Sequence, residues 1–260
     1  MQAVQLPATT GPAWIRQGYQ LFRKQPISML TWALTIGFLV VIASMLAPLG
    51  PLFFVMFMPC ISVMTLEACR QVELDKPMVP LRMFGVLRHP GLFKTLMLLG
   101  LLYLILMLAA GLIVFLPFAD TITAALDNAG TDSPEALYQA IQPMLILFGL
   151  CYVLLAALFW FAPGLIAWEK LSIKRALFYS IIAFWRNKWA FLLYAASWGL
   201  ALAAVEIVSW LLVSIGLPSG FVGLVQLPVN FVLSAILYAS VYFTYTSVLG
   251  PPQSPPLLQP

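Results

Sequence analysis

Six long apolar runs, almost free of charged residues, constrain this chain more than any other feature of its sequence. Each run is continuous rather than alternating, and about 20 such residues are enough to cross the hydrocarbon of a bilayer as a helix. Inside lipid every backbone N–H and C=O must be paired within the protein, and a helix achieves this within its own segment. The runs therefore predict an all-α fold, a polytopic membrane bundle of six transmembrane helices.

The composition excludes several other classes of protein. Only 8% of the 260 residues are charged and 62% are hydrophobic, whereas a soluble domain carries about 25% charged residues. The net charge of +4 does not indicate a nucleic-acid partner, because the cations cluster beside apolar runs. The three cysteines are dispersed, without CxxC or Cys/His spacing, so we expect no metal site and no disulfide framework. No cofactor motif is present either.

The predicted spans form three hairpins within one transmembrane domain, residues 1–250. They are placed at residues 26–47, 52–66, 92–117, 144–168, 189–215 and 221–249. The second span is short, so a re-entrant hairpin is a rival interpretation of the first pair. Residues 118–143 are expected to form an outer helical hairpin, and the proline-rich tail, residues 251–260, is expected to be disordered. The first span, with no signal-peptide features before it, is expected to remain as a signal-anchor.

A short basic segment precedes each hairpin, at residues 11–24, 79–88 and 172–187. The first is the most clearly amphipathic, because Trp14 and other apolar residues share one helical face and the cations share the other. This pattern is typical of a helix in the cytoplasmic membrane interface, among anionic lipid headgroups. Headgroup or interfacial contacts are predicted for Trp14, Arg16, Arg23, Lys24, Arg82, Arg88, Lys174, Arg175, Arg186 and Lys188.

The return span of each hairpin contains a proline: Pro59, Pro163 or Pro228. Proline inside a membrane helix kinks it and frees a carbonyl, so a kink is predicted at each of the three. Their matching positions favour three copies of one bent-hairpin unit. The alternative is that proline is simply common in membrane helices.

The distribution of charge predicts the orientation of the bundle. All 13 basic residues fall on one side of the six-span arrangement, whereas the charged residues of the long loop on the other side are all acidic. The positive-inside rule then places both termini in the cytoplasm.

Few residues offer chemistry. His89 is the only histidine and has no nucleophile or carboxylate beside it in the sequence, and no catalytic motif is present, so we expect no enzymatic activity. Glu206 is predicted to lie near the bilayer centre, at a depth similar to that of Asn230 across the LPSG turn. Either a neutral Glu206 bonds to Asn230 and fastens the hairpin, or it is the proton or cation site of a small transporter or channel.

Three parts of the sequence carry a resemblance to a known family: PATTGPAWIRQGYQLFRKQP, the APLGP turn and FAPGLIAWEKLSIKRALFYSIIAFWRNKWA. In these parts the chain resembles a family of six-span proteobacterial inner-membrane proteins. The last block is also distantly similar to membrane domains found beside glycerophosphodiester phosphodiesterases. Neither resemblance supplies an active site. Both are compatible with a scaffold, assembly or interaction protein that has a membrane-protein partner, with the transporter as the alternative.

Overall fold

The computed structural model describes residues 4–127 and 134–258, and every regular element within those ranges is helical. The α-helices are α1 (Thr10–Lys24), α2 (Pro26–Met45), α3 (Leu49–Glu73), α4 (Pro80–Met83), α5 (Leu92–Phe115), α6 (Ala119–Asp127), α7 (Pro134–Phe159), α8 (Ala162–Glu169), α9 (Ile173–Arg186), α10 (Lys188–Ser214) and α11 (Ser219–Leu249). Short 3₁₀ helices, Phe84–Arg88 and Leu116–Phe118, follow α4 and α5.

Six helical segments among the described residues are long and apolar enough to cross a membrane. They are Pro26–Met45, Leu49–Glu73, Leu92–Thr123, Ile141–Glu169, Lys188–Ser214 and Ser219–Leu249. The predicted all-α bundle with six spanning helices is therefore confirmed. Consecutive spans pack as antiparallel neighbours, α2 with α3, α5 with α7, and α10 with α11.

Helix α3 is the centre of the bundle. It packs against α2, α5, α8 and α11, and nearly every residue from 59 to 72 is buried. The span predicted here ended at residue 66 because Glu67 is the first charge after the apolar run. The helix in fact continues for two more turns to Glu73, because the polar side chains of these turns are buried in protein contacts. At 25 residues, α3 is long enough to cross the membrane.

The interfacial assignment of Trp14 is wrong. This side chain is fully buried, its ring 5.2 Å from Phe191 and 5.7 Å from Tyr194, and its Nε1–H donates to Ser247. Helix α1 therefore turns its apolar face to α10 and α11 rather than to lipid. Amphipathicity alone does not distinguish these two environments. The nine predicted headgroup cations, in contrast, are all exposed: Arg16, Arg23, Lys24, Arg82, Arg88, Lys174, Arg175, Arg186 and Lys188.

Glycines set the distance between α1 and its neighbours. A Cβ on Gly11 would lie 2.3 Å from the Ala190 carbonyl oxygen of α10. A Cβ on Gly18 would lie 2.7 Å from the Ser240 backbone nitrogen of α11. Small residues of this kind let helix backbones approach closely. Because Gly11 and Gly18 share the face that carries Trp14, they are a sequence signal for protein burial of α1.

The three predicted kink prolines occupy different structural positions. Pro59 and Pro228 lie within the continuous helices α3 and α11, whereas Pro163 lies in the first turn of α8, just after a break at residues 160–161. Ser180 of α9 spans this break. Its hydroxyl donates to the Ala157 carbonyl and accepts the Phe161 N–H, so both freed backbone groups are paired.

Replacing Ser180 with alanine is expected to destabilise the protein by about 1–2 kcal/mol, because a buried N–H and a buried C=O lose their partner. The measurement is the thermal midpoint of the purified protein in detergent. Ser44→Ala is the matched control, since the exposed Ser44 hydroxyl bonds only to the Val40 carbonyl of its own helix. Equal midpoints for the two variants would contradict the bridging role of Ser180.

The tail departs from its predicted disorder. Residues 251–258 are non-helical, as four prolines require, but they pack against α3 and the 3₁₀ helix after α4. Part of the predicted outer hairpin is seen in α6 and in the first turns of α7. The turn between them, with the predicted helix stop at Gly130 and helix start at Asp132, lies outside the described residues.

Candidate functional site

A cluster of buried polar side chains lies on the last two turns of α3. Glu67 is fully buried, Gln71 is 5% exposed and Arg70 is 8% exposed. All three project from one stretch of helix because they are spaced by three and four residues. Polar groups with so little water access must find partners in the protein.

The carboxyl group of Glu67 accepts three hydrogen bonds. Oε1 accepts from Gln71 Nε2 at 3.0 Å and from the backbone N–H of Leu257 at 3.1 Å. Oε2 accepts from the indole Nε1 of Trp168 at 3.3 Å, and Arg70 Nη1 is 3.9 Å from the same oxygen. The carboxyl group therefore joins α3, α8 and the tail.

Arg70 points its guanidinium at the backbone of the tail. It donates to the carbonyl oxygens of Ser254 at 2.6 Å, and of Pro252 and Pro255 at 3.4 Å each. The same guanidinium lies 5.7 Å from the centre of the Trp168 ring, a cation–π contact. The guanidinium is planar and has five N–H donors, so it can bind three carbonyl oxygens along one stretch of backbone.

Two further side chains bind the end of the tail. Gln71 Nε2 lies 3.4 Å from the Leu258 carbonyl oxygen, and the Nε2–H of His89 donates to the Leu257 carbonyl oxygen. We call the surface formed by Glu67, Arg70, Gln71, His89 and Gly85 the tail groove. Leu258 lies over Gly85, where a Cβ would be 3.2 Å from its Cδ2 atom.

Leu257 also forms one wall of a cavity of about 500 Å³. The remaining walls come from the start of α5 and the end of α8, and they carry His89, Thr95 and Lys170 among apolar residues. No nucleophile is paired with a general base along these walls. Among the described residues, no group of three or more His, Cys, Asp or Glu side chains has the arrangement of a metal site.

A second set of contacts joins α1, α3 and α11 beside this cluster. Tyr242 of α11 donates its hydroxyl to Glu73, and Lys24 forms an ion pair with Asp75 at 2.8 Å. Gln25 donates to the Lys76 carbonyl and accepts the Met78 N–H, so it holds the chain that leaves α3. These groups position the end of α3 and hence the tail groove.

The sequence predicts a hydrogen bond between Glu206 and Asn230 within the membrane, but the structure contains a different pair. Glu206 accepts a hydrogen bond of 2.7 Å from Gln226 Nε2, so the partner is Gln226 and not Asn230. Gln226 lies one helical turn before Asn230 on α11. The membrane depth counted from the sequence therefore does not tell which of the two residues is the partner of Glu206. Both Glu206 and Asn230 are exposed on the outside of the bundle, away from its core.

The sequence prediction did not identify the tail groove. From local spacing alone, Glu67 is predicted to be an interfacial carboxylate paired with Arg70, and the tail is predicted to be disordered. A signal was nonetheless present, because a Glu-x-x-Arg-Gln stretch ending an apolar span places three polar groups on one helical face. The polar partner of these groups lies nearly 200 residues away, beyond the reach of any local pattern.

Comparison with known proteins identifies one family. A protein of Burkholderia thailandensis described as a "probable inner membrane protein" is 31% identical over 256 residues, which cover 96% of this chain and 94% of the relative. No protein-family model matches the chain. No solved structure matches it. At this identity and coverage the relationship extends over the whole helical bundle, and the chain belongs to the same family as this Burkholderia membrane protein.

Proposed function

We propose that this protein is a non-catalytic interaction protein of the bacterial inner membrane, which associates with another membrane protein through one face of α10 and α11. The observation that carries the proposal is the position of the Glu206–Gln226 pair. The two side chains are hydrogen-bonded, but Glu206 is exposed and Gln226 only half-buried, and Glu206 lies about 12 Å along the helix axis from the end of α10. A carboxyl group at this depth is unfavourable against lipid tails, so a protein partner would stabilise it.

The surroundings of the pair support association rather than transport. A coupled-transport site faces an internal, water-accessible path, whereas Glu206 faces outward between Leu202 and Trp210, both of which are also exposed. Gly199, two turns before Glu206 on α10, and Gly223, one turn before Gln226 on α11, have open space where a Cβ would be. Small and polar residues exposed together are typical of membrane helix interfaces.

The same inventory supports the non-catalytic part of the proposal. The buried polar groups of the tail groove bind one another and the tail, which leaves no free nucleophile or base among them. The resemblance to membrane domains beside glycerophosphodiester phosphodiesterases is consistent with an accessory role next to a partner. The nine exposed cations of the basic segments would bind anionic headgroups, at about 1 kcal/mol each.

The proposal is tested by photo-crosslinking in native membranes. A photoreactive residue at position 210, one turn from Glu206, is expected to form a discrete adduct with a membrane protein. The matched control is position 154, which is also exposed but lies on α7. Adduct formation should fall at least tenfold in the Glu206→Leu, Gln226→Leu double variant, while its thermal midpoint in detergent stays within a few degrees.

Two results would contradict the proposal. One is an adduct pattern that does not depend on Glu206 and Gln226. The other is a pH-dependent ion flux in reconstituted vesicles that Glu206→Gln abolishes, which would establish the transporter instead.

We further propose that both termini are cytoplasmic, since the exposed cations all belong to segments at one end of the bundle. With the native cysteines replaced, a cysteine at position 219 should react with an impermeant thiol reagent applied to spheroplasts. A cysteine at position 20 should react only after the membrane is opened. Both sites are exposed in the structure, so burial does not explain a difference between them. Reaction of position 20 from outside would reverse the orientation.

A further inference from the structure

The tail groove is built for the backbone of a peptide rather than for a small ion. Its buried charged residue Arg70 donates to three carbonyl oxygens of the tail, and Gln71 and His89 supply donors to the carbonyl oxygens of Leu258 and Leu257. The one strong acceptor, Glu67, takes the N–H of Leu257. In its contacts with the tail, the groove therefore supplies several donors and a single acceptor.

That inventory matches a proline-rich segment. Residues 251–258 contain four prolines, which have a carbonyl but no N–H. Most backbone groups that such a segment offers are acceptors, and the donors of the groove satisfy them. Leu257 is the first residue after the Pro255–Pro256 pair that has an N–H, and this is the N–H that Glu67 accepts.

The backbone conformation at the start of the tail indicates that the contact between the tail and the tail groove is specific. Gly250 has a φ of +87°, which turns the chain from α11 toward α3 and which other residues adopt only with strain. Beyond it, exposed and half-buried residues alternate from 251 to 256, the period of an extended chain with one side against a surface.

We propose that the tail groove is a recognition site for an extended, proline-rich peptide, and that its resident ligand is residues 251–258 of the same chain. The inference is independent of the association proposed for α10 and α11, which lies on different residues. The bound tail also closes one side of the neighbouring cavity, because Leu257 forms one of the walls of that cavity. Release of the tail opens that wall and exposes the carboxyl group of Glu67.

Disulfide trapping in the full-length protein tests this site. The substitutions Gly85→Cys and Leu258→Cys are made in a background in which Cys60, Cys69 and Cys151 are replaced by alanine. Because a Cβ at position 85 would lie 3.2 Å from the Leu258 side chain, mild oxidation should close an intramolecular disulfide within minutes. The control pair, Gly85→Cys with Ser219→Cys, should not close, because Ser219 is at the opposite end of α11 from the tail.

Competition then tests recognition. A free peptide of residues 251–260 at millimolar concentration, comparable with the effective concentration of a tethered tail, should slow disulfide closure at least fivefold. The same peptide carrying an N-methyl group on Leu257 lacks the N–H that Glu67 accepts and should have no effect. Failure of the pair to close, closure only between two copies, or equal competition by both peptides would each overturn the proposal.

Discussion

Replacing Gly100 with valine is expected to abolish recovery of the folded, monodisperse protein in detergent. A Cβ at this position of α5 would lie 1.8 Å from the Met56 carbonyl oxygen and 2.7 Å from its carbonyl carbon on α3. These are backbone atoms of the central helix, so no side-chain rotation relieves the overlap. Overpacking costs roughly 1–3 kcal/mol where side chains adjust, and two helix backbones that must separate cost more.

Gly199→Ala provides the matched control. This glycine also lies within a long apolar helix, but a Cβ there meets no atom within 4 Å. Alanine favours the helix by up to about 1 kcal/mol relative to glycine, so the control should be as stable as the parent protein or slightly more stable. Size-exclusion profiles and thermal midpoints separate the two variants. A folded Gly100→Val protein with an unchanged midpoint would show that the α3–α5 contact is looser than the structure indicates.

Gly100 also illustrates which parts of the fold the sequence could predict. Continuous apolar runs identify spanning helices because lipid requires paired backbone groups over a fixed length, and all six segments were predicted on this basis. The same runs are hydrophobic on every face, so they do not indicate which glycine approaches a neighbouring helix. That information depends on contacts such as Gly100 with Met56, between residues far apart in sequence.

The errors have a common physical origin. The apolar face of α1 was assigned to lipid, and Trp14 is instead covered by α10 and α11, because lipid and protein interiors select for the same residue types. The tail was assigned to solvent, since a proline-rich segment forms no helix or sheet of its own. Its order comes from Arg70 and Glu67, which bind backbone groups of the tail more than 180 residues away in the sequence.

Replacing Arg70 with alanine is expected to destabilise the protein by about 3 kcal/mol, the lower end of the range for removing one partner of a buried ion pair. The substitution leaves the carboxyl group of Glu67, which is fully buried, without the cation that lies 3.9 Å away. It also leaves three tail carbonyls without their donor. The thermal midpoint in detergent should fall by several degrees.

The matched control is Lys24→Ala, which breaks the other ion pair described at this end of the bundle. Lys24 and Asp75 have side chains that are 44% and 80% exposed. An exposed pair contributes only about 0–1 kcal/mol because water solvates both charges when they separate. The midpoint of this variant should therefore stay close to that of the parent protein.

A second substitution separates the loss of charge compensation from a general loss of packing. Glu67→Gln removes the buried charge and keeps one side-chain oxygen, which can accept from the Leu257 N–H in the position of Oε1. The bond from Trp168 to Oε2 is lost, because an NH₂ group takes the place of that oxygen. If uncompensated charge dominates, adding Glu67→Gln to Arg70→Ala should restore part of the lost stability, so the two substitutions would be non-additive by at least about 1 kcal/mol. Strict additivity would mean that Arg70 stabilises the bundle through its contacts with the tail and with Trp168 alone.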